Sequence, residues 1–230
     1  MLHELQTMEN EVYQSRLREK ERELLQLQAQ INPHFLFNTL ETIESYSMKN
    51  NGQAVGDMVQ SVAKMMRYSV RNDGGWAPIK DEISYIHHFL NIHYYRHGTK
   101  VSVYIQMDSA CNDIRIMKLS IQPFIENAIK YGWSPSMTTK EFALSVTIHT
   151  DENYLRINIR DTGIGMPEDI WDKLCEMIEN KGDSADTFFR QHTGISNVCR
   201  RFFLAYGDDT SIRIHSVPGS GTTVSLCIPL

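Results

Sequence analysis

At 230 residues, with 41% hydrophobic and 22% charged side chains, the chain has the composition of an ordinary globular protein, enough for one large domain or two small ones. Its formal net charge of −5, with no concentrated basic face in view, argues against a nucleic-acid partner. Cys111, Cys175, Cys199 and Cys227 share no short spacing, which argues against a disulfide framework or zinc cluster, and no apolar run approaches the roughly 20 residues of a membrane span.

Residues 1–50 hold no glycine and only one proline, Pro33. Leu17, Leu24 and Ile31 recur at heptad spacing with Leu27 between them, the seam of a coiled coil, whereas Leu5 and Val12 are out of phase and predict a break near Val12. Arg16 to Glu23 alternates in sign and reads as a solvated helix face. The polar, acidic start does not resemble a signal peptide, so a soluble cytoplasmic chain is expected. The cytoplasmic part of a longer membrane protein would read the same way.

Asn50-Asn51-Gly52 is a turn signal, after which Val55, Met58, Val62, Met65 and Met66 repeat at helical spacing until Asn72-Asp73-Gly74-Gly75. Two helices joined by a short turn cannot bury an apolar stripe alone. A second copy would complete a four-helix bundle. Beyond Pro78, Asp81 to His97 reads as a helix and Val101, Val103 and Ile105 as a strand. Met117 to Tyr131 is helical in part. Phe142–His149 and Tyr154–Arg160 alternate as paired strands around the turn Asp151-Glu152-Asn153. Helices are expected over Asp169–Ile178 and Gly194–Tyr206, with Gly207 as a C-cap, and strands over Ser211–His215 and Thr223–Ile228. The fold class is α+β: a helical hairpin at 1–72, then at 73–230 a sandwich with helices on one face of a mixed sheet.

The chain has neither GxxxxGK[ST] nor a strand-linked GxGxxG, so any nucleotide site must be built otherwise. Asp161 follows directly on a predicted strand, where its carboxylate can accept from an exocyclic amine such as adenine's, while Gly163 and Gly165 allow close backbone approach. An exposed aspartate in a glycine turn is the plain alternative. In Gln122-Pro123-Phe124-Ile125-Glu126-Asn127-Ala128-Ile129-Lys130, Asn127 is a polar group on an apolar helix. Its amide oxygen suits Mg²⁺. Lys130, one turn on, reaches either a phosphate or solvent. His93 and His97 stand four apart but lack a third metal ligand in phase, and a polar helix face is the simpler reading.

Together these motifs resemble a known family. Gln122 to Gly132 is similar to the N box of the GHKL ATP-binding fold, Asp161 to Met166 to its G1 box, and Thr193 to Val198 to its G2 box. Gln30-Ile31-Asn32-Pro33-His34-Phe35-Leu36-Phe37-Asn38 resembles the phosphoacceptor segment of LytS/YesM-type sensor histidine kinases, and Met65-Met66-Arg67-Tyr68-Ser69 and Gly219 to Val224 add further matches. The resemblance implies that His34 accepts the phosphoryl group, that Asn127 binds Mg²⁺, and that Asp161 reads the adenine of ATP. Gly163 and Gly165 would shape the base pocket, and Gly194 would let amides at a helix N-terminus meet the phosphates. A lid is expected within residues 167–192.

Three positions depart from the family pattern: His192 replaces the first glycine of the G2 box, Tyr131 a histidine after the N-box lysine, and Thr162 an asparagine of G1. Phe35 follows His34 where many histidine kinases carry an acid; Asn38, one turn on, is placed to orient the ring, Glu41 and Glu44 lie farther along, and which group assists the attack stays open. Pro123 occupies the place of the water-activating glutamate of ATP-hydrolysing relatives, which favours transfer over hydrolysis. The resemblance thus implies a homodimeric kinase core that phosphorylates His34 and passes the group to an aspartate on a response regulator, Asn38 also serving the reverse reaction. A silent nucleotide-binding signalling module, and a GHKL ATPase or protein-serine kinase, are the alternatives.

Overall fold

Pro33 heads the first described helix, α1 (Pro33–Met48), at a position where its missing N–H takes nothing from the helix. The computed structural model describes residues 33–71, 73–98, 101–134, 137, 142–181 and 193–230. The heptad seam through Leu17, Leu24 and Ile31, the substituted G2 position His192 and residues 182–192 of the stretch expected to hold the lid lie outside these residues. The chain turns at Asn50, whose φ of 54° suits asparagine, and Asn51 caps α2 (Gly52–Val70) by accepting from the Ala54 amide at 3.2 Å. Ala54, Met58, Ser61 and Met65 form the buried stripe of α2, at the three- and four-residue steps of a helix.

That stripe packs on α3 (Ile79–His97). Asn91 donates to Ser61 Oγ at 3.0 Å, Tyr95 to Asp57 at 2.7 Å, and the Phe35 and Phe89 rings lie 5.6 Å apart. Gly98, at φ 66°, ends α3 by donating to the Tyr94 carbonyl. A different face of the hairpin leaves Phe37, Leu40, Met48, Val59, Met66 and Val70 exposed. Met65 is therefore core as the spacing predicts, whereas Met66 is not buried within the single chain.

A five-stranded sheet follows: β2 (Ser102–Met107), β4 (Ala143–Asp151), β5 (Tyr154–Asp161), β7 (Gly221–Pro229) and β6 (Ser211–Val217), in spatial order β2-β4-β5-β7-β6. Only the β2–β4 pair is parallel, which makes the sheet mixed as expected. Strict alternation buries Leu144, Val146 and Ile148 of β4, Leu155, Ile157 and Ile159 of β5, and Val224, Leu226 and Ile228 of β7 in one core. Polar side chains such as Arg160 and Arg213 take the opposite face.

α4 (Gln122–Asn127), α5 (Glu168–Glu179) and α6 (Thr193–Tyr206) add Phe124, Ile125, Leu174, Met177, Val198 and Phe202 to that core. A short antiparallel pair, β1 (Trp76–Pro78) with β3 (Arg115–Met117), has no counterpart in the sequence reading, because three-residue strands show no periodicity. Among the described residues no helix is long and apolar enough to cross a membrane.

Candidate active site

The α-helical turns of α4 end at Asn127, and the backbone continues as a wider π-helical segment over Ala128–Gly132. Such segments recur at functional sites because they re-aim the side chains around them. Asn127 is half-buried at the junction. Lys130 is exposed, its ammonium 4.7 Å from the centroid of the Tyr131 ring, so of the two roles open to it the structure displays the solvent-facing one. Glu126, the neighbour of Asn127, turns back to accept from the Gln122 amide, and burial raises its carboxyl above the ordinary range.

Gly132 brings the end of this segment against the Asp161 turn. Its carbonyl accepts from Ile164 N at 2.9 Å, and a Cβ placed on Gly132 would lie 3.1 Å from Asp161 Oδ1. Asp161 itself is only 5% exposed, which rules out the plain reading of a solvated aspartate. Its Oδ1 accepts from Gly163 N at 2.8 Å and Thr222 N at 3.2 Å. Burial pushes the carboxyl up from its ordinary value, and the amides of Gly163 and Thr222 pull it part of the way back.

The two G1 glycines serve by different means. Gly163 has no room for a side chain, since a Cβ would overlap the Gly132 carbonyl; Gly165 combines φ 69° with overlap on the Val217 carbonyl. Gly219 has a similar φ of 76° with open space around it. Replacing Gly219 by Ala is therefore expected to cost only the left-handed strain, about 1–2 kcal/mol. Gly165→Ala adds the clash and should cost roughly 2–5 kcal/mol. Urea unfolding of both variants checks the order.

Three contributors were not among the candidate site residues. Gly221, at φ 90°, lets β7 begin against the Asp161 carbonyl, and Thr222 supplies the second amide to the carboxylate. Ser216 Oγ accepts from Met166 N at 2.9 Å and so ties the far side of the loop to β6. The signal for the first two was the run Gly219-Ser220-Gly221-Thr222 at a strand start. Nothing local marks Ser216.

Gly194 is the second residue of α6, at the helix N-terminus where an anion is favoured. His34 and Asn38 stand apart on α1. His34 is exposed, and Asn38 Nδ2 lies 3.2 Å from its Nε2 and 3.4 Å from its Nδ1. The structure thus gathers Asp161, Gly163 and Gly165 against the end of the segment that carries Asn127 and Lys130. Among the described residues, no hydrogen bond joins His34 to that group.

Residues 22–101 match the family described as histidine kinase, and residues 112–230 the family described as histidine kinase-, DNA gyrase B-, and HSP90-like ATPase. The first match includes α3. The sensor histidine kinase YesM of Bacillus subtilis (strain 168) is 30% identical over all of this chain and 37% of its own length. The sensor protein kinase HptS of Staphylococcus aureus (strain USA300) is 27% identical, over all of this chain and 41% of its own length. The chain therefore spans about two fifths of the curated relatives it matches. Among solved structures, the histidine kinase domain of the Erythrobacter litoralis EL346 blue-light activated histidine kinase has a TM-score of 0.49 at 18% identity, covering 94% of each chain.

Proposed function

Because the chain belongs to the family of histidine kinase-, DNA gyrase B-, and HSP90-like ATPases, we propose that it is the kinase core of a two-component sensor, which binds ATP with Mg²⁺ and transfers the γ-phosphoryl group to His34. The observation that carries this reading is the buried Asp161 carboxylate, held on two backbone amides at the end of the segment that carries Asn127. One domain, 73–230, would hold the nucleotide and the other, 1–72, the acceptor.

The donor set fits those ligands. Asp161 has Oδ1 committed to Gly163 and Thr222, and its other oxygen would accept from the exocyclic amine of adenine. The half-buried amide of Asn127 offers the hard oxygen that Mg²⁺ prefers. Bound there, the metal would neutralise charge on the phosphates. Lys130 is within a turn of Asn127 and would approach the phosphates by leaving its ring contact with Tyr131. Gly194 would present α6 amides to them.

At His34 a ring nitrogen lone pair forms the N–P bond as the bond from the γ-phosphorus to the bridging oxygen breaks, releasing ADP. Asn38 offers both a donor and an acceptor to the ring. With its oxygen turned to the ring N–H, it would hold the proton on one nitrogen and leave the other free to attack. Phe35 gives no proton acceptor beside the ring, but His34 is exposed, so solvent would take the proton lost from the phosphorylated imidazolium.

The exposed apolar positions Phe37, Leu40, Met48 and Val59 support pairing with a second copy as a four-helix bundle. The onward acceptor would be an aspartate of a response-regulator receiver domain, and a membrane sensor region would precede this segment in the full protein. Incubation with γ-labelled ATP and Mg²⁺ tests the reading: an acid-labile, alkali-stable label with slow ATP turnover is expected. Acid-stable label would indicate a serine kinase. Rapid hydrolysis would indicate an ATPase, and intact ATP binding without label a silent signalling module.

A further inference from the structure

Four segments of the chain meet at the turn Lys118–Ile121, which leads into α4. At its centre is Glu82, in the first turn of α3 and fully buried at 0% exposure. Its Oε1 accepts from Ile121 N at 3.1 Å and Gln122 N at 3.5 Å; its Oε2 accepts from Leu119 N at 2.9 Å and from the Tyr68 hydroxyl of α2. Leu119 holds a φ of 57°, a conformation that a leucine keeps only where its surroundings impose it. Glu82 imposes it by drawing the amides on either side of the turn onto one carboxylate.

The same turn is tied a second time to α2 and also to α6. Lys118 Nζ donates to the carbonyls of Tyr68 at 3.0 Å and Arg71 at 2.6 Å, at the C-terminal end of α2 where a cation is favoured. Arg201 of α6, 4% exposed, donates to the Lys118 carbonyl. Tyr206, at the end of α6, accepts from Met117 N at 2.7 Å. Thus α4, which ends at Asn127, and α6, which begins around Gly194, hang from one turn, and α2 of the hairpin grips that turn through Tyr68 and Lys118.

We propose that Tyr68 is a positioning residue: its hydrogen bond to Glu82 ties the seat of α4, and so Asn127, to the hairpin, making phosphoryl transfer sensitive to the placement of α2. This rests on the kinase reading above. Three backbone amides already satisfy Glu82, so the Tyr68 bond adds a connection between elements more than it adds partners. Burial and the adjoining carboxylate hold the Tyr68 hydroxyl far above its ordinary range, which keeps it a donor at any physiological pH.

Tyr68→Phe is the test. It keeps the ring, which packs 5.2 Å from Tyr85 and lies under the Lys118 ammonium at 5.3 Å, and removes only the hydroxyl. The expected result is a kcat for His34 phosphorylation about tenfold lower, with KM for ATP within about twofold of native. Hydrogen exchange should quicken at the amides of 119–127. If the variant does not fold, Lys118→Met cuts the other tie to α2, and the same split is expected. A kcat within about twofold of native, or a KM that rises in step with the loss, overturns the proposal. If the native chain labels no histidine, the kinase reading has failed on its own. Exchange at 119–127 then still decides the coupling, and rates unchanged by the substitution overturn it.

Discussion

His34→Gln will take no phosphoryl group from γ-labelled ATP, while its affinity for ATP stays at the native level. The imidazole is the only atom set on α1 proposed to form the N–P bond, so the loss should be complete. Binding should survive because no hydrogen bond among the described residues links His34 to the Asp161 cluster. His34 is exposed and glutamine is a good helix former, so stability should move by no more than about 0.5 kcal/mol. Asn38→Ala in the same assay should slow labelling roughly ten- to a hundredfold without abolishing it, the cost of an ill-held ring rather than a missing one. Acid-labile label persisting on the glutamine variant would move the acceptor to another histidine and sink the assignment of His34.

Asp161→Asn should weaken ATP binding by about a hundredfold or more and leave the fold in place. The asparagine Oδ1 can keep both bonds from Gly163 and Thr222, so the loop retains its frame. The second carboxylate oxygen becomes an NH₂ group, which faces the adenine amine donor to donor. A lost bond to a charged acceptor with an unpaired buried donor costs on the order of 3 kcal/mol. The same NH₂ suits the O6 acceptor of guanine, so the ATP-over-GTP preference should narrow, as read by competition binding. A variant that binds ATP as before would show that Asp161 does not read the base.

The same substitution carries a pH signature. Burial raises the folded carboxyl above its unfolded value, so between those two values the folded chain holds a proton that the unfolded chain has released. The contribution of Asp161 to stability is then fully present below the unfolded value and is lost as pH rises through the folded one. Urea unfolding across that range should show a smaller decline with rising pH in the asparagine variant than in the native protein.

Much of this site was legible in one sequence because its parts are short local motifs. Asp161-Thr162-Gly163-Ile164-Gly165 encodes a turn whose glycines are needed for steric reasons, and alternation in Leu155, Ile157 and Ile159 tells which way Asp161 points. The contributors that were missed act from far along the chain. Thr222 is 61 residues from the carboxylate it meets, and Ser216 is 50 from Met166. Glu82 was overlooked for a different reason: an acid in the first turn of a helix reads as a favourable charge at the dipole, and nothing about it predicts complete burial. Its spacing is the one signal, since position 82 lies between Ile79 and Ile86 on the buried side of α3. The turn Lys118–Ile121 has no periodicity at all, so its place as a meeting point is visible only in three dimensions.

The partnership of Asp161 with Thr222 also bears on how the protein comes into being. A growing chain exposes α1 and His34 early, but the second amide on the Asp161 carboxylate sits on β7, whose pairing with β5 runs from Tyr154↔Pro229 to Arg160↔Thr223. Leu230 N donates to the Asn153 carbonyl at 2.8 Å, so the end of β7 closes onto the β4–β5 turn. Synthesis proceeds N-terminus first, so a nascent chain carries α1 before β7 has emerged. On the kinase reading proposed above, the acceptor would emerge before the pocket that serves it can close, and the order in which residues emerge would bar a chain still lacking β7 from phosphorylating itself.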